Sequence, residues 1–555
     1  MRDIRGCRFG LFVHYVPRLT VSRQGEPVRD VNLLAGAFDA EGFAEDAAAV
    51  GAEYVIFTAW HANCIPLFPS KTMLRWRPRY FCSRDLLGDL LDACGKRGVQ
   101  VMFYTHPRDG HDFPPDDRIE TGWGAGRDPA DPANPDFARF DFAKWNAFTR
   151  ELYLELVERY GDRLAGLWLD EGSAAGDSYR VVDYPRLASA IKARCPRLTL
   201  MNNFYGSGYG LDLGMKEYFP TWGAFCDRSG ESWPVYEKPV GAVVGRDWTA
   251  SLPAGQPAAA YDARALFRYT VLQAGANRLG AGVAWAAGPY AGRRADGLWE
   301  DGVFETLAEV GRLLRAVGEG VFGTEPSDAF PTRSGESFAT VRYGAATVSA
   351  DHAVEYIHLL KDPGGRTVEL GPAANGARFT AAALLDGTEA ALRQTDAGVT
   401  LTLPCDWRGP DLVVRLTVQP GSYGPPEAVY VNDTDESVLY SGDWRRDWHA
   451  RVCGDYEGDV HLTEETGAAC TLLFEGGRVR LLCPCWPGGG RAAVYLDSVS
   501  YGTFSLSADR YLRQQAVFDS GPLYRARHRL RVVCTEGAVA VDAFALYGSK
   551  SAGTV

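Results

Sequence analysis

Over roughly its first 320 residues the chain repeats one pattern: an amphipathic helix, a glycine turn, then a continuous apolar run. Phe43, Ala47 and Val50 share a helical face, Gly51 breaks it, and Glu53-Tyr-Val-Ile-Phe-Thr-Ala59 follows as a buried strand. Leu86, Leu87, Leu90, Leu91 and Cys94 lead through Gly98 to an apolar run at 99–104. Phe148, Leu152, Leu156 and Val157 lead through Gly161 to 164–169, and Leu187 with Ile191 lead to 198–201. With 9–13 as the opening strand, five strand candidates alternate with helices. Strands that are apolar throughout, rather than at every second place, belong to a parallel sheet covered on both faces. Repetition over this length predicts a (β/α)8 TIM-like barrel rather than a doubly wound sheet. No GxGxxG or GxxxxGK[ST] follows a strand, which argues against nucleotide binding. The stretch 205–255 reads as loop-rich, and 304–317 as a closing helix.

After Phe322 the pattern changes to short strand-like runs between glycine and proline turns, at 338–342, 353–360, 367–370, 399–403 and 412–416. That spacing predicts an all-β sandwich. Residues 421–426, Gly-Ser-Tyr-Gly-Pro-Pro, read as a linker, and 428–549 is again β-rich. The expected organisation is multidomain α/β plus all-β: a barrel over 1–322, a β-sandwich over 323–422 and a further β domain over 428–550, for which a resemblance given below implies a jelly-roll.

Composition narrows the partners. Asp and Glu number 70 against 58 Lys and Arg, with no basic run, so a nucleic-acid partner is not expected. No apolar stretch reaches membrane-spanning length. The aromatic share is 12%, including 14 Trp and 26 Tyr, and flat rings with a polar handle suit carbohydrate. The N-terminus shows no signal-peptide core. The 12 cysteines are scattered, and Cys483-Pro-Cys485 has no second pair to complete a zinc site. Reduced thiols, a cytoplasmic setting and no metal or cofactor are the expectations, with a homo-oligomer left open.

Side chains at the C-terminal ends of parallel barrel strands face one shared mouth. Those positions hold His14, His61, His106, Asp170 and Asn202/Asn203. Asp170 emerges directly from Leu167-Trp-Leu169, where an ionised carboxylate is costly unless it is paired or functional. Its neighbour Glu171 points the opposite way at a strand end. An acidic centre, a histidine rim and many aromatics fit glycoside hydrolysis by paired carboxylates.

Arg8-Phe-Gly-Leu-Phe-Val-His14, Phe38-Asp-Ala-Glu-Gly-Phe43, the strand 52–58 through His61 to Pro69-Ser-Lys71, Arg84-Asp-Leu-Leu-Gly88, Glu158-Arg-Tyr-Gly161, Leu167-Trp-Leu-Asp170 and Gly275-Ala-Asn-Arg-Leu279 resemble the alpha-L-fucosidases of glycoside hydrolase family 29. The resemblance covers about 1–325. It implies a retaining exo-glycosidase with Asp170, in the family's Trp-x-Asp position, as nucleophile. Lys216-Glu217-Tyr218 looks like the family's Pro-Glu-Tyr segment and makes Glu217 the implied acid/base. Glu237, in Tyr236-Glu-Lys238, resembles a Trp-Glu element and is the second choice. His14, Tyr15, Trp60, His61, His106, Asn202, Trp222, Arg246 and Trp248 are the expected sugar-binding set.

The chain departs from the family's pattern at Tyr15, at Trp60-His61-Ala62-Asn63-Cys64 (where the family has Lys-His-His-Asp-Gly) and at Asn202-Asn203-Phe204. Altered hydrogen-bond donors in a polar pocket change which hydroxyl pattern is accepted. A retaining glycosidase of the same fold on another sugar, and a non-catalytic carbohydrate-binding protein, stand as alternatives. Asn432-Asp-Thr-Asp435, Tyr440-Ser-Gly-Asp-Trp444, Ala493-Val-Tyr-Leu-Asp497 and Val541-Asp-Ala-Phe544 resemble the galactose-binding-like jelly-roll modules appended to bacterial glycosidases. Sugar binding and packing on the barrel are both open for that segment.

Overall fold

The computed structural model describes residues 3–61, 63–107, 113–123, 140–170, 182–203, 211–218, 235–236, 238–259, 261–332, 344–426, 428–447, 455–524 and 526–548, with backbone only at 203 and 216–218. The elements of the first part run β1 (Phe9–Val13), α1 (Val31–Ala37), α2 (Ala40–Ala49), β2 (Tyr54–Thr58), α3 (Lys71–Trp76), α4 (Leu86–Lys96), β3 (Gln100–Thr105), α5 (Pro115–Thr121), α6 (Phe142–Tyr160), β4 (Gly166–Leu169), α7 (Tyr184–Arg194), β5 (Thr199–Asn203), β6 (Leu213–Tyr218), β7 (Val240–Val243), α8 (Ala263–Ala276), β8 (Val283–Ala286) and α9 (Val303–Ala316).

Among the described residues, β1 to β8 close into a parallel barrel in chain order, with β8 pairing back onto β1. Local chemistry sets the punctuation. Carboxylates of Asp39, Asp85, Asp141 and Asp183 accept first-turn amide protons of α2, α4, α6 and α7. Gly51 and Gly98, at φ of 83° and 71°, turn α2 and α4 into the next strands. The stretch expected to be loop-rich carries β6 and β7. The sequence hides them because Leu213-Gly-Met-Lys-Glu-Tyr218 mixes charge into its run and Val240-Gly-Ala-Val243 is only four residues long.

Inside the barrel, Phe12, Tyr54, Ile56, Met102, Tyr104, Trp168, Met201 and Met215 fill the centre. Tyr54 closes its foot. The ring lies against Gly10, where a Cβ would sit 2.4 Å away, and the hydroxyl donates to the Ala281 carbonyl at 2.5 Å.

Past α9 the strand pairings are antiparallel. Strands from Thr324–Pro326 to Leu412–Val418 form one eight-stranded sheet around a core that includes Phe330, Ile357, Leu401 and Val414. From Val429–Asn432 to Ala543–Tyr547, sheets of four, five and three strands enclose a second core around Leu472, Leu481, Val494 and Phe544. By contact density the chain separates into two units: Met1–Thr221, Lys238–Thr270 and Leu279–Ala316, and Trp222–Glu237, Val271–Arg278 and Val317–Val555.

The C-terminal sheets also bury a knot of acids. Asp433, Asp455, Asp459 and Asp542 are fully buried. His461 Nδ1 lies 2.7 Å from Asp433 Oδ2, the Tyr511 hydroxyl donates to Asp455 at 2.7 Å, the Tyr456 amide donates to Asp542 at 2.8 Å, and Arg446 pairs with Asp459. Burial pushes the Asp455 carboxyl up to about 7 and that of Asp542 well above its ordinary value, each reinforced by the other carboxylates of the knot.

No described helix is long and apolar enough to cross a membrane. Among the described residues, no group of three His, Cys, Asp or Glu side chains is placed to hold a metal ion, and the cysteines are free thiols.

Candidate active site

Strand parity builds the mouth of the barrel. Phe12 and Trp168 line the interior, so His14 and Asp170, two places further along β1 and β4, continue on the same face. Tyr104 and His106 stand in the same relation on β3. The result is a stack of rings around one carboxylate. His14 lies 4.6 Å from Tyr104 and 5.4 Å from His61, centroid to centroid, and His61 lies 5.4 Å from His106. The His61 ring is parallel to that of Tyr104 at 5.5 Å.

Asp170 is held from two sides. The Tyr104 hydroxyl donates to its Oδ2, and His106 Nε2 stands 3.6 Å from the same oxygen. Its backbone amide donates to the Thr105 carbonyl at 2.8 Å, which fixes the carboxylate at the strand tip. The Asp170 side chain keeps 14% of its surface open to solvent, enough for a ligand to reach it. His14 is buried. Desolvation first, then the neighbouring His61 and His106, hold its imidazole well below the ordinary value, so it stays neutral at neutral pH. A neutral imidazole offers one donor and one acceptor. Among the described residues, His14 Nδ1, His106 Nδ1 and Trp168 Nε1 are buried without a hydrogen-bond partner. A partly open carboxylate with imidazole and phenol neighbours suits a polyhydroxylated ligand.

The turn after β7 supplies the remaining wall. Trp248, half-buried, sets its ring edge-on to Phe12 at 4.9 Å and 5.6 Å from His14. Arg246 is exposed on the same turn. Glu300 anchors this segment by accepting the Ser251 and Leu252 amides, each at 2.7 Å.

Three expected sugar contacts face the other way. Tyr15 is fully buried against Phe38 and Phe57, and its hydroxyl donates to the Leu34 carbonyl at 2.9 Å. Trp60 packs on Tyr153 of α6 and donates its indole N–H to the His106 carbonyl at 3.2 Å. Asn202 is fully buried and alternates with Met201, which lines the interior, so it lies on the helix side of β5. In each case the expectation erred by one residue, and one residue reverses the face. Asn63 is a loop brace: its amide donates to the Pro17 carbonyl and its oxygen accepts the Ile65 amide.

Glu217 falls at the end of β6, in register with Gly241 of β7 and two places beyond Met215 of the barrel interior. Its side chain, like that of Asn203, lies outside the described residues, as do Glu237, Trp222, Ala62 and Phe204. Tyr104, Phe12 and Trp168 were not among the expected site residues. Their signal was position, two residues before His106, His14 and Asp170.

The family model for alpha-L-fucosidase matches residues 31–209. In fold, the chain is similar to the alpha-L-fucosidase of Vibrio sp. strain EJY3, with TM-score 0.55 at 15% identity over 98% of this chain and 97% of that one. In sequence it is 32% identical over 131 residues to an A type blood N-acetyl-alpha-D-galactosamine deacetylase of Flavonifractor plautii. It is 30% identical over 115 residues to an A type blood alpha-D-galactosamine galactosaminidase of the same organism. These matches span 23% and 21% of this chain but only 16% and 10% of those proteins. Over residues 31–209, the chain thus carries an alpha-L-fucosidase domain, of glycoside hydrolase family 29.

Proposed function

We propose that the chain is a retaining exo-glycosidase that releases terminal alpha-L-fucose. One observation carries this reading: a carboxylate at a strand tip, fixed by the Tyr104 hydroxyl and ringed by His14, His61 and His106. Asp170 attacks the anomeric carbon as Glu217 gives its proton to the departing glycosidic oxygen, and a glycosyl ester forms on Asp170. Glu217, now a carboxylate, takes a proton from water. The hydroxide attacks the same carbon and returns Asp170 to its free form. The histidines read the sugar hydroxyls, and the face of Trp248 accepts the apolar side of the ring. Retention requires the two carboxyls to stand about 5–5.5 Å apart.

The test is turnover of an aryl alpha-L-fucoside with retained anomeric configuration. For the acid/base, azide should restore activity to Glu217→Ala on an activated substrate. Rescue of Glu237→Ala instead would move the role to that residue.

A second reading keeps the mechanism and changes the sugar. It is favoured by Ala62, Asn63 and Phe204 standing where the family pattern has other residues, and by the similarity to Flavonifractor plautii proteins named for N-acetylgalactosamine and galactosamine. A panel of aryl glycosides that includes the alpha-N-acetylgalactosaminide separates the two. A missing hydroxyl partner in a site built for it costs orders of magnitude in kcat/KM.

A further inference from the structure

The five-stranded sheet of the C-terminal segment has at its centre the strand Ala526–Glu536, flanked by Ala469–Gly476 and Arg491–Leu496. Its even positions Leu530, Val532 and Cys534 fill the core, whereas Arg527, Arg529 and Arg531 alternate on the exposed face. Alternate residues of a strand stand about 7 Å apart, so the three guanidinium groups form a straight row. Arg529 lies opposite Leu473, and Arg531 lies between Thr471 and Tyr495. Leu439, next to Thr471, and Leu473 are 54% and 53% exposed.

Several other arginines of these sheets are paired. Arg478 and Arg480 pair with Asp519, Arg445 with Glu464 and Arg446 with Asp459. Arg527, Arg529 and Arg531 make no ion pair among the described residues. Glu475 stands across from Arg527 without joining it, and Asp497 is committed to His528 and to the Arg529 backbone amide. Three aligned, unpaired guanidinium groups with apolar neighbours are unusual on a chain carrying net charge −12.

We propose that this face docks an anionic polysaccharide. Sulfate or carboxylate groups spaced along a linear glycan take the arginine forks bidentately. Leu439, Leu473 and Tyr495 meet the C–H faces of its sugars. A flat row on a sheet suits an extended chain. The choice of a glycan over another polyanion rests on the glycoside hydrolase domain that the same chain carries. Binding to this face needs no turnover, so the two readings fail separately.

The experiment is affinity electrophoresis of the full chain through gels holding dextran sulfate, polygalacturonate or neutral dextran, with an oligothymidylate titrated as competitor. The wild type should be retarded by one or both acidic polymers and not by dextran, and about 0.5 M salt should abolish the effect. The sulfate and carboxylate arms identify the acid group. Arg527→Gln/Arg529→Gln/Arg531→Gln should weaken binding at least about tenfold with thermal unfolding and aryl-glycoside turnover unchanged. Arg529→Gln alone should weaken it about threefold and serves if the triple variant does not fold. The proposal is overturned by passage of the wild type unretarded through both acidic gels, by equal retardation of wild type and Arg529→Gln, or by retardation in neutral dextran. It is also overturned if the oligothymidylate binds more tightly than either acidic glycan.

Discussion

At the mouth of the barrel the carboxylate of Asp170 stands among three histidines and a tyrosine hydroxyl. In the C-terminal sheets four carboxylates, Asp433, Asp455, Asp459 and Asp542, are sealed among His461, Tyr511 and Arg446. The residue types are the same and the outcomes are opposite. The mouth leaves donors unspent, keeps Asp170 partly open and places its rings side by side. The knot turns its acids inward and closes them off from solvent. Acid, histidine and tyrosine in one place therefore do not define a site; access does.

Removing the central carboxylate on each side gives the sharpest contrast. Asp170→Ala should lower kcat on the order of 10⁴-fold while the unfolding transition stays in place, read by steady-state kinetics beside calorimetry. Turnover near the wild-type level would end its assignment as nucleophile. Asp459→Ala should do the reverse. It deprives the buried Arg446 of its carboxylate and should cost about 3 kcal/mol in denaturant unfolding, with kcat per folded molecule unchanged.

The next effect is smaller and confined to the mouth. Tyr104→Phe keeps the ring stack with His61 and removes only the hydroxyl on Asp170. A fall in kcat of about tenfold with little change in KM is expected, since the lost hydrogen bond positions the nucleophile rather than the sugar. A rise in KM alone would assign Tyr104 to sugar binding.

The smallest effect belongs to the knot and follows its protons. Asp455 titrates near 7 in the folded chain against an ordinary value of 3.8, so the fold keeps a proton that the unfolded chain releases. The stability this contributes is complete below about 4 and is lost as pH rises through about 7. The melting temperature of the wild type should thus fall between pH 5 and pH 8. Asp542→Asn, which removes a second group of the knot whose own carboxyl is held well above its ordinary value by burial and by Asp455, should flatten that fall by about 3 °C. An unchanged slope would show that the knot does not titrate in this range.

Much of the barrel was legible because its strands are continuous apolar runs, and Asp170 was legible as a charge at the end of one. His14, His61 and His106 came together as their positions implied. What adjacency could not show was face. Tyr15, Trp60 and Asn202 each stand one residue from an inward position and point outward, whereas Tyr104 hid inside an apolar run as one more core aromatic. β6 stayed hidden because Lys216 and Glu217 interrupt its pattern. Face is decided by pairing with neighbouring strands, through register that lies far away in the sequence.

Tyr54, wedged against Gly10 and tied to Ala281, stops the foot of the barrel beneath the rings that fill its centre. Under the proposed function, a sugar on Asp170 therefore arrives and leaves on the strand-tip side of that packed floor.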